Sequence, residues 1–293
     1  MAREVRPIVF LGTPPAAVVV LRRLVDAGFD VRHVVTRPDA RRGRGGATSG
    51  SPVKIAAQEM GLEVSHDLSW IESHAHENLL GVVVAYGRLV PAPLLDRVPM
   101  LNIHFSLLPR WRGAAPVERA ILAGDAETGV CIMDIEPTLD TGPVHARAVV
   151  PIRPDHTTAS LTDELARAGA DLLAYTLESG LGVPEPQSGE PTHAAKIGPD
   201  DQRIDWSAPA ESVCRTVRAV RAHTTIDGGR LRILEVEPSG SIQGEPGDFD
   251  DNGTVVTGDG AVVLVTVQPE GRHPMSAPDW LRGLRPGSAR RFG

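Results

Sequence analysis

Four short apolar runs in the first 105 residues leave few folds open: PIVFLG from Pro7, VRHVVT from Val31, GVVVAY from Gly81 and MLNIHF from Met100. Each is short and carries Val, Ile or Leu between turn-forming segments, as buried strands do. Gly81–Tyr86 is apolar on both faces and is expected to be central. Ala16–Ala27 reads as a helix between the first two runs, despite its β-prone Val18-Val19-Val20. A strand–helix–strand opening predicts a mostly parallel, doubly wound sheet. Its first turn, GTPPAA, lacks the G-x-G-x-x-G that lets a backbone close on a pyrophosphate, so a dinucleotide site is disfavoured.

Further on, Pro52–Met60 reads as a helix with Pro at its first position and Gly61 beyond its end. Thr157–Gly180 reads as another, with Leu161, Leu165, Ala168, Leu172 and Leu173 recurring at three and four. Arg37–Ser51 (RPDARRGRGGATSGS) is a long polar loop, a kind that is usually functional or disordered. From Val183 to Pro199, Pro, Gly and polar residues dominate, and beyond Ile204 short β-rich segments split by Gly, Asp and Asn take over, with a hairpin signal at Gly258-Asp259-Gly260. The expected architecture is a Rossmann-like α/β domain over residues 1–183, a linker over 184–203, and a small OB-like β-barrel domain over 204–293.

Composition narrows the function classes. No apolar run approaches the roughly 18 residues of a membrane helix, and the N-terminus lacks a secretory h-region, so a cytoplasmic chain with no membrane partner is expected. Cys131 and Cys214 are too few and too far apart for a disulfide framework, and no His/Cys/Asp cluster has zinc-like spacing, so no metal is expected. The net charge of −7 argues against a broadly basic nucleic-acid binder. Only Lys54 and Lys196 among the 30 basic residues are lysines, which nucleotide composition can explain as readily as function.

The residues able to do chemistry lie between Leu101 and Val144. Asn102 and His104 are two apart in a strand and therefore share a face. A lone histidine in a strand is more often a satisfied core residue than a catalyst. A second polar side chain on the same buried face tilts the reading toward function, because two such groups are costly to bury without a reason. Both sit near the strand's carboxyl end, where open α/β sheets collect ligands. Asp140, in LDTGPV, would by itself be an ordinary turn aspartate.

NIHFSLLPRWRGAAP from Asn102, AGDAETGV from Ala123 and LDTGP from Leu139 together resemble the folate-dependent formyltransferases. FLGTP, SPVK, VVVAYG, RIDW, GDGAVVL, VQPEG and MSAPDWL extend that resemblance over essentially the whole chain, in the family's order. It implies a Rossmann-like domain followed by an OB-like one, acting on 10-formyl-tetrahydrofolate as formyl donor. The acceptor it implies is the α-amine of methionine on initiator tRNA. Asn102, His104 and Asp140 fall on the catalytic positions, and Ser106, Leu107, Leu108 and Pro109 on a folate-contacting segment. A formyl transfer suits these side chains. Histidine, with an ordinary pKa near 6.5, can accept the amine proton; an Asn amide can donate to the oxyanion; an aspartate can orient the imidazole.

Formyltransferases acting on another amine, such as an amino-sugar nucleotide, share the Asn-x-His and Asp logic, and a non-catalytic folate- or RNA-binding relative is the alternative of a different class. Arg41, Arg42 and Arg44 are expected to clamp tRNA phosphate. Arg215, Arg218 and Arg221, at i, i+3 and i+6, form either a second phosphate-binding ridge or a solvated helix face. Two segments depart from the family pattern: Ser69–Gly81 is short, and RAHTTIDGG after Val220 lacks the usual aromatic and proline. A monomer is expected.

Overall fold

The computed structural model describes residues 6–41, 48–240, 242–284, 287 and 289–293. Two compact units emerge: Met1–Pro116, Glu127–Pro151 and Ser160–Ala194 form the first, and Val117–Ala126, Ile152–Ala159 and Ala195–Gly293 the second.

The first unit is built on a seven-stranded sheet. Its strands are β1 (Ile8–Gly12), β2 (Val31–Val35), β3 (Val64–Ser65), β4 (Leu80–Val84), β5 (Met100–His104), β6 (Glu127–Asp134) and β7 (Val144–Pro151). They lie in the order β7-β6-β5-β4-β1-β2-β3. Every residue of β1 and β4 is buried, as strands covered on both faces must be. Helix α1 (Pro15–Asp26) follows β1 and buries Ala16, Ala17, Val20, Leu21 and Leu24 along one stripe, so packing overrides the β preference of its three valines. Helix α2 (Pro52–Glu59) starts where the Ser51 hydroxyl accepts from the Lys54 N–H at 3.0 Å. The shortened segment holds a six-residue helix, α3 (Ser69–His74), before β4. Helix α4 (Ala92–Leu95) precedes β5, and the long α6 (Thr158–Ser179) lays Gly169 against Ile103 and Val130; α5 (Pro116–Ala123), beyond its first residue, belongs to the second unit.

The sheet is mostly parallel, as expected, with an antiparallel edge. The strand carrying Asn102 and His104 is parallel to β4 on one side but antiparallel to β6 on the other. The β6–β7 hairpin adds an antiparallel edge to a parallel sheet, a common mixture. β6 ends opposite Leu101, at the amino end of β5, where the Ile135 N–H donates to the Met100 carbonyl, and the loop that follows folds back to bring the Asp140 carboxylate to His104.

The second unit holds α7 (Ala210–Ala219), β8 (His223–Ile226), β9 (Gly229–Ser239), β10 (Thr254–Val256), β11 (Ala261–Pro269), β12 (Met275–Ser276) and α8 (Ala277–Arg282). The strands make an antiparallel sheet in the order β8-β9-β11-β10, with β12 also on β11. Trp206, Phe249, Trp280 and Phe292 fill its core with Val213 and Val217 of α7. The RAHTTIDGG segment becomes a hairpin: Asp227 and Gly228 both have positive φ (47° and 76°), as the tight turn between β8 and β9 demands. The Asp-Gly pair was its signal. No helix among the described residues is long and apolar enough to cross a membrane.

Within the first unit, His33 of β2 is buried with neither ring nitrogen hydrogen-bonded, stacked on Trp70 at 4.4 Å between ring centres. Burial lowers its pKa from the ordinary 6.5, Glu63 and Asp67 opposing and His74 adding to the shift. The unfolded chain therefore takes up a proton that folded His33 refuses, and stability falls as pH drops below about 6.5. Urea midpoints at pH 7.5 and 5.5 check this. His33→Phe is expected to lose less stability over that interval than the wild type, and equal losses would exclude the effect.

Candidate active site

The site is assembled from the carboxyl end of β5, the turn after it, and the β6–β7 loop. His104, the last residue of β5, is 5% exposed. Its Nε2 lies 2.9 Å from the carbonyl oxygen of Trp111. A carbonyl only accepts, so in the neutral ring Nε2 carries the hydrogen and Nδ1 the lone pair. That lone pair faces Asp140, whose Oδ2 is 3.7 Å away.

The expected meeting of aspartate and histidine thus exists, but as charge proximity. The carboxylate's hydrogen bond goes elsewhere: Asp140 Oδ2 accepts from the Gly113 N–H at 2.8 Å. Trp111 supplies the hydrogen bond that orients the ring, a role the sequence reading gave to Asp140 alone. With side chains only 6% and 9% exposed, the pair is shielded from water, which strengthens any charge interaction between them.

Backbone conformation does much of the placing. Asp140 has φ +53° and Trp111 φ +60°, left-handed values that aspartate tolerates and a bulky aromatic rarely adopts. Gly113 has φ +127°, and a Cβ there would lie 2.6 Å from the Ala194 carbonyl oxygen, so a glycine is required. At the base of the Asp140 loop, a Cβ on Gly142 would lie 2.0 Å from the Asp134 carbonyl oxygen. Asn102 pairs with Met133 of β6 and shares the His104 face.

The expected folate segment is packed tightly. Ser106 is fully buried, its hydroxyl donating to the Arg110 carbonyl. Leu108 joins a small core with Cys131, Met133 and Val144, and Leu107 rests against Gly129. Pro109 is partly exposed, after a cis peptide bond.

Of the expected phosphate clamp, Arg42 and Arg44 lie outside the described residues, and only the backbone of Arg41 is described, pairing with Thr48. The sequence left the second arginine row open between a phosphate-binding ridge and a solvated helix face. Arg215 is paired with Glu211 at 2.9 Å, and Arg218 donates to the His156 carbonyl at 2.8 Å. Both guanidinium groups are held inside the protein's own surface, so the three residues do not present one free basic row.

Sequence reasoning missed two features here. His145 bridges the Asp134 carboxylate at 2.9 Å and the Leu181 carbonyl at 3.0 Å, bracing the base of the Asp140 loop. The second lies in the supposed linker. Glu185 pairs with Val144, and His193–Ala194 pairs in parallel with Arg112–Gly113, so this stretch is part of the first unit. Its Pro- and Gly-rich composition fits an irregular strap bound by scattered hydrogen bonds as well as it fits a free connector.

Residues 6–177 match the formyl transferase family model, and residues 196–285 the model for the formyl transferase C-terminal domain. The chain belongs to the formyl transferase family. It is 43% identical to the methionyl-tRNA formyltransferase of Arthrobacter sp. (strain FB24), over 94% of this chain and 96% of that one. It is 44% identical to the methionyl-tRNA formyltransferase of Symbiobacterium thermophilum, over 94% and 92%. Among solved structures, the N-formyltransferase of Helicobacter canadensis superposes with a TM-score of 0.68 at 17% identity, over 90% of this chain and 99% of that one. HypX of Aquifex aeolicus in complex with tetrahydrofolic acid gives a TM-score of 0.67 at 19% identity, over 95% of this chain but only 47% of HypX. At such identities these two likenesses concern the fold.

Proposed function

We propose that the chain transfers the formyl group of 10-formyl-tetrahydrofolate to the α-amine of methionine on initiator tRNA. The observation that carries this reading is identity of 43–44% to methionyl-tRNA formyltransferases over nearly the whole of both chains, on a fold that brings His104 beside Asp140. His104 Nδ1 accepts a proton from the attacking amine as the new C–N bond forms. The resulting imidazolium keeps its Nε2–H on the Trp111 carbonyl and turns its Nδ1–H toward Asp140. The Asn102 amide donates to the formyl oxygen as it takes up negative charge; losing one such donor typically costs about 10²–10³ in rate. Collapse of the tetrahedral intermediate breaks the bond to N10 of the folate, and the proton on His104 returns to that nitrogen.

In this reading Ser106 to Pro109 meets the folate through its backbone and the face of Pro109, since Leu107 and Leu108 are occupied in packing. The catalytic division covers 1–183 together with the strap that follows, and the β division 204–293. The protein acts as a cytoplasmic monomer.

A formyl-transfer assay offering Met-tRNA and a dTDP-amino sugar separately tests the proposal. The expected result is turnover of Met-tRNA with the amino sugar inert; the reverse pattern would overturn the acceptor assignment. Arg41, Arg42 and Arg44 are assigned to the acceptor stem. Replacing all three by alanine is expected to lower kcat/KM for Met-tRNA roughly tenfold or more, with the KM for folate unchanged and a shallower salt dependence. Unaltered kcat/KM would remove the loop from the tRNA interface.

A further inference from the structure

We propose that residues 185–194 are a positioning strap for the His104 site, acting through Gln187 and Thr192; the proposal rests on the catalytic reading of His104 and Asp140. The strap is fixed at both ends by backbone hydrogen bonds. Val144 and Glu185 exchange N–H···O bonds of 2.8 and 2.9 Å at one end, and the Arg112 and Ala114 N–H groups donate to the Thr192 and Ala194 carbonyls, each at 2.9 Å, at the other. Between these ends Glu185, Pro186, Ser188, Gly189, Glu190 and Pro191 are exposed, whereas Gln187 and Thr192 turn inward.

Each inward side chain holds one of the two groups that flank the imidazole. The Gln187 amide NH₂ donates to the carbonyls of Asp140 and Gly142, at 2.9 and 2.8 Å, spanning the left-handed turn that aims the Asp140 carboxylate. Its Oε1 accepts from Arg112 Nε and Nη2 at 3.0 and 2.6 Å, tying that turn to the residue preceding Gly113, whose N–H holds the carboxylate. Thr192 Oγ1 accepts from the Trp111 N–H at 2.8 Å, and the carbonyl of the same residue receives His104 Nε2. Trp111 sits at positive φ, a conformation that costs a bulky residue on the order of 1–3 kcal/mol unless its surroundings over-determine it. The Thr192 bond is one of the contacts that does so. Gln187 therefore fixes the Nδ1 side of the ring and Thr192 the Nε2 side.

The test is steady-state kinetics of formyl transfer to Met-tRNA for Gln187→Ala, Thr192→Val and Thr192→Ser, with Gln187→Ala also made on Asp140→Asn. Loss of the one Thr192 side-chain bond in Thr192→Val predicts a fall in kcat of about tenfold, and loss of the four Gln187 bonds in Gln187→Ala a fall of about tenfold or more. KM for both substrates should stay within about threefold, and Thr192→Ser, which keeps the acceptor oxygen, should restore kcat. On the Asp140→Asn background, Gln187→Ala is expected to add nothing further, because it acts through the group already removed. A strap that only held the fold together would lower stability without this split between kcat and KM, and its effect would add to that of Asp140→Asn. That additive result overturns the inference, as does wild-type kcat in both strap variants beside a damaged Asp140→Asn. Wild-type kcat in Asp140→Asn itself overturns the catalytic reading and the Gln187 role with it.

Discussion

Asp140→Asn is expected to lower kcat by about 10³–10⁴-fold, the scale seen when an aspartate beside a catalytic histidine becomes its amide. Asparagine is the informative replacement, since it tolerates the left-handed backbone at this position, and its Oδ1 can still accept the Gly113 N–H. What changes is the face turned to His104. The oxygen that holds the Gly113 N–H is also the one 3.7 Å from Nδ1, so an amide that keeps this bond presents an uncharged carbonyl oxygen to His104 and no negative charge to the imidazolium. Folding and folate binding should survive. A thermal midpoint and a folate KM close to wild type, with kcat depressed, is the expected pattern; kcat within threefold of wild type would remove Asp140 from the chemistry.

His104→Gln is expected to cost about 10²–10⁴-fold in kcat, the usual contribution of a positioned base. The glutamine amide can still donate to the Trp111 carbonyl, which limits collapse of the turn, but it has no group able to accept the amine's proton. Because a buried residue is being replaced, circular dichroism and folate affinity must accompany the kinetics. A low kcat with intact folate binding identifies the base. Wild-type turnover would transfer the proton-accepting role to another group.

Much of the first unit was legible in its residues because period and punctuation are local properties. Ile8–Gly12, Leu80–Val84 and Met100–His104 are apolar runs bounded by turn residues, and Pro15–Asp26 and Thr158–Ser179 follow the helical period; all lie within two residues of the expected bounds. The hairpin at Gly258–Gly260 was likewise visible, and the one at Asp227-Gly228 carried an equally local signal. The direction of β6 beside β5 was not visible, since an apolar run reads the same whether its neighbour is parallel or antiparallel. The strap also escaped notice, because Gln187 and Thr192 lie 47 and 81 residues from the groups they hold, in a stretch with no periodicity.

By itself, the sequence determined the strand–helix alternation, the second β unit, and the placing of Asn102 and His104 on one strand face, since each depends on neighbours a few positions apart. Only the tertiary structure decided which groups flank the imidazole. Trp111 and Asp140 reach His104 through a strained turn, a loop returning from an antiparallel hairpin, and a strap crossing both. Those contacts are set by packing and backbone hydrogen bonds between distant segments, which no local pattern of residue types encodes.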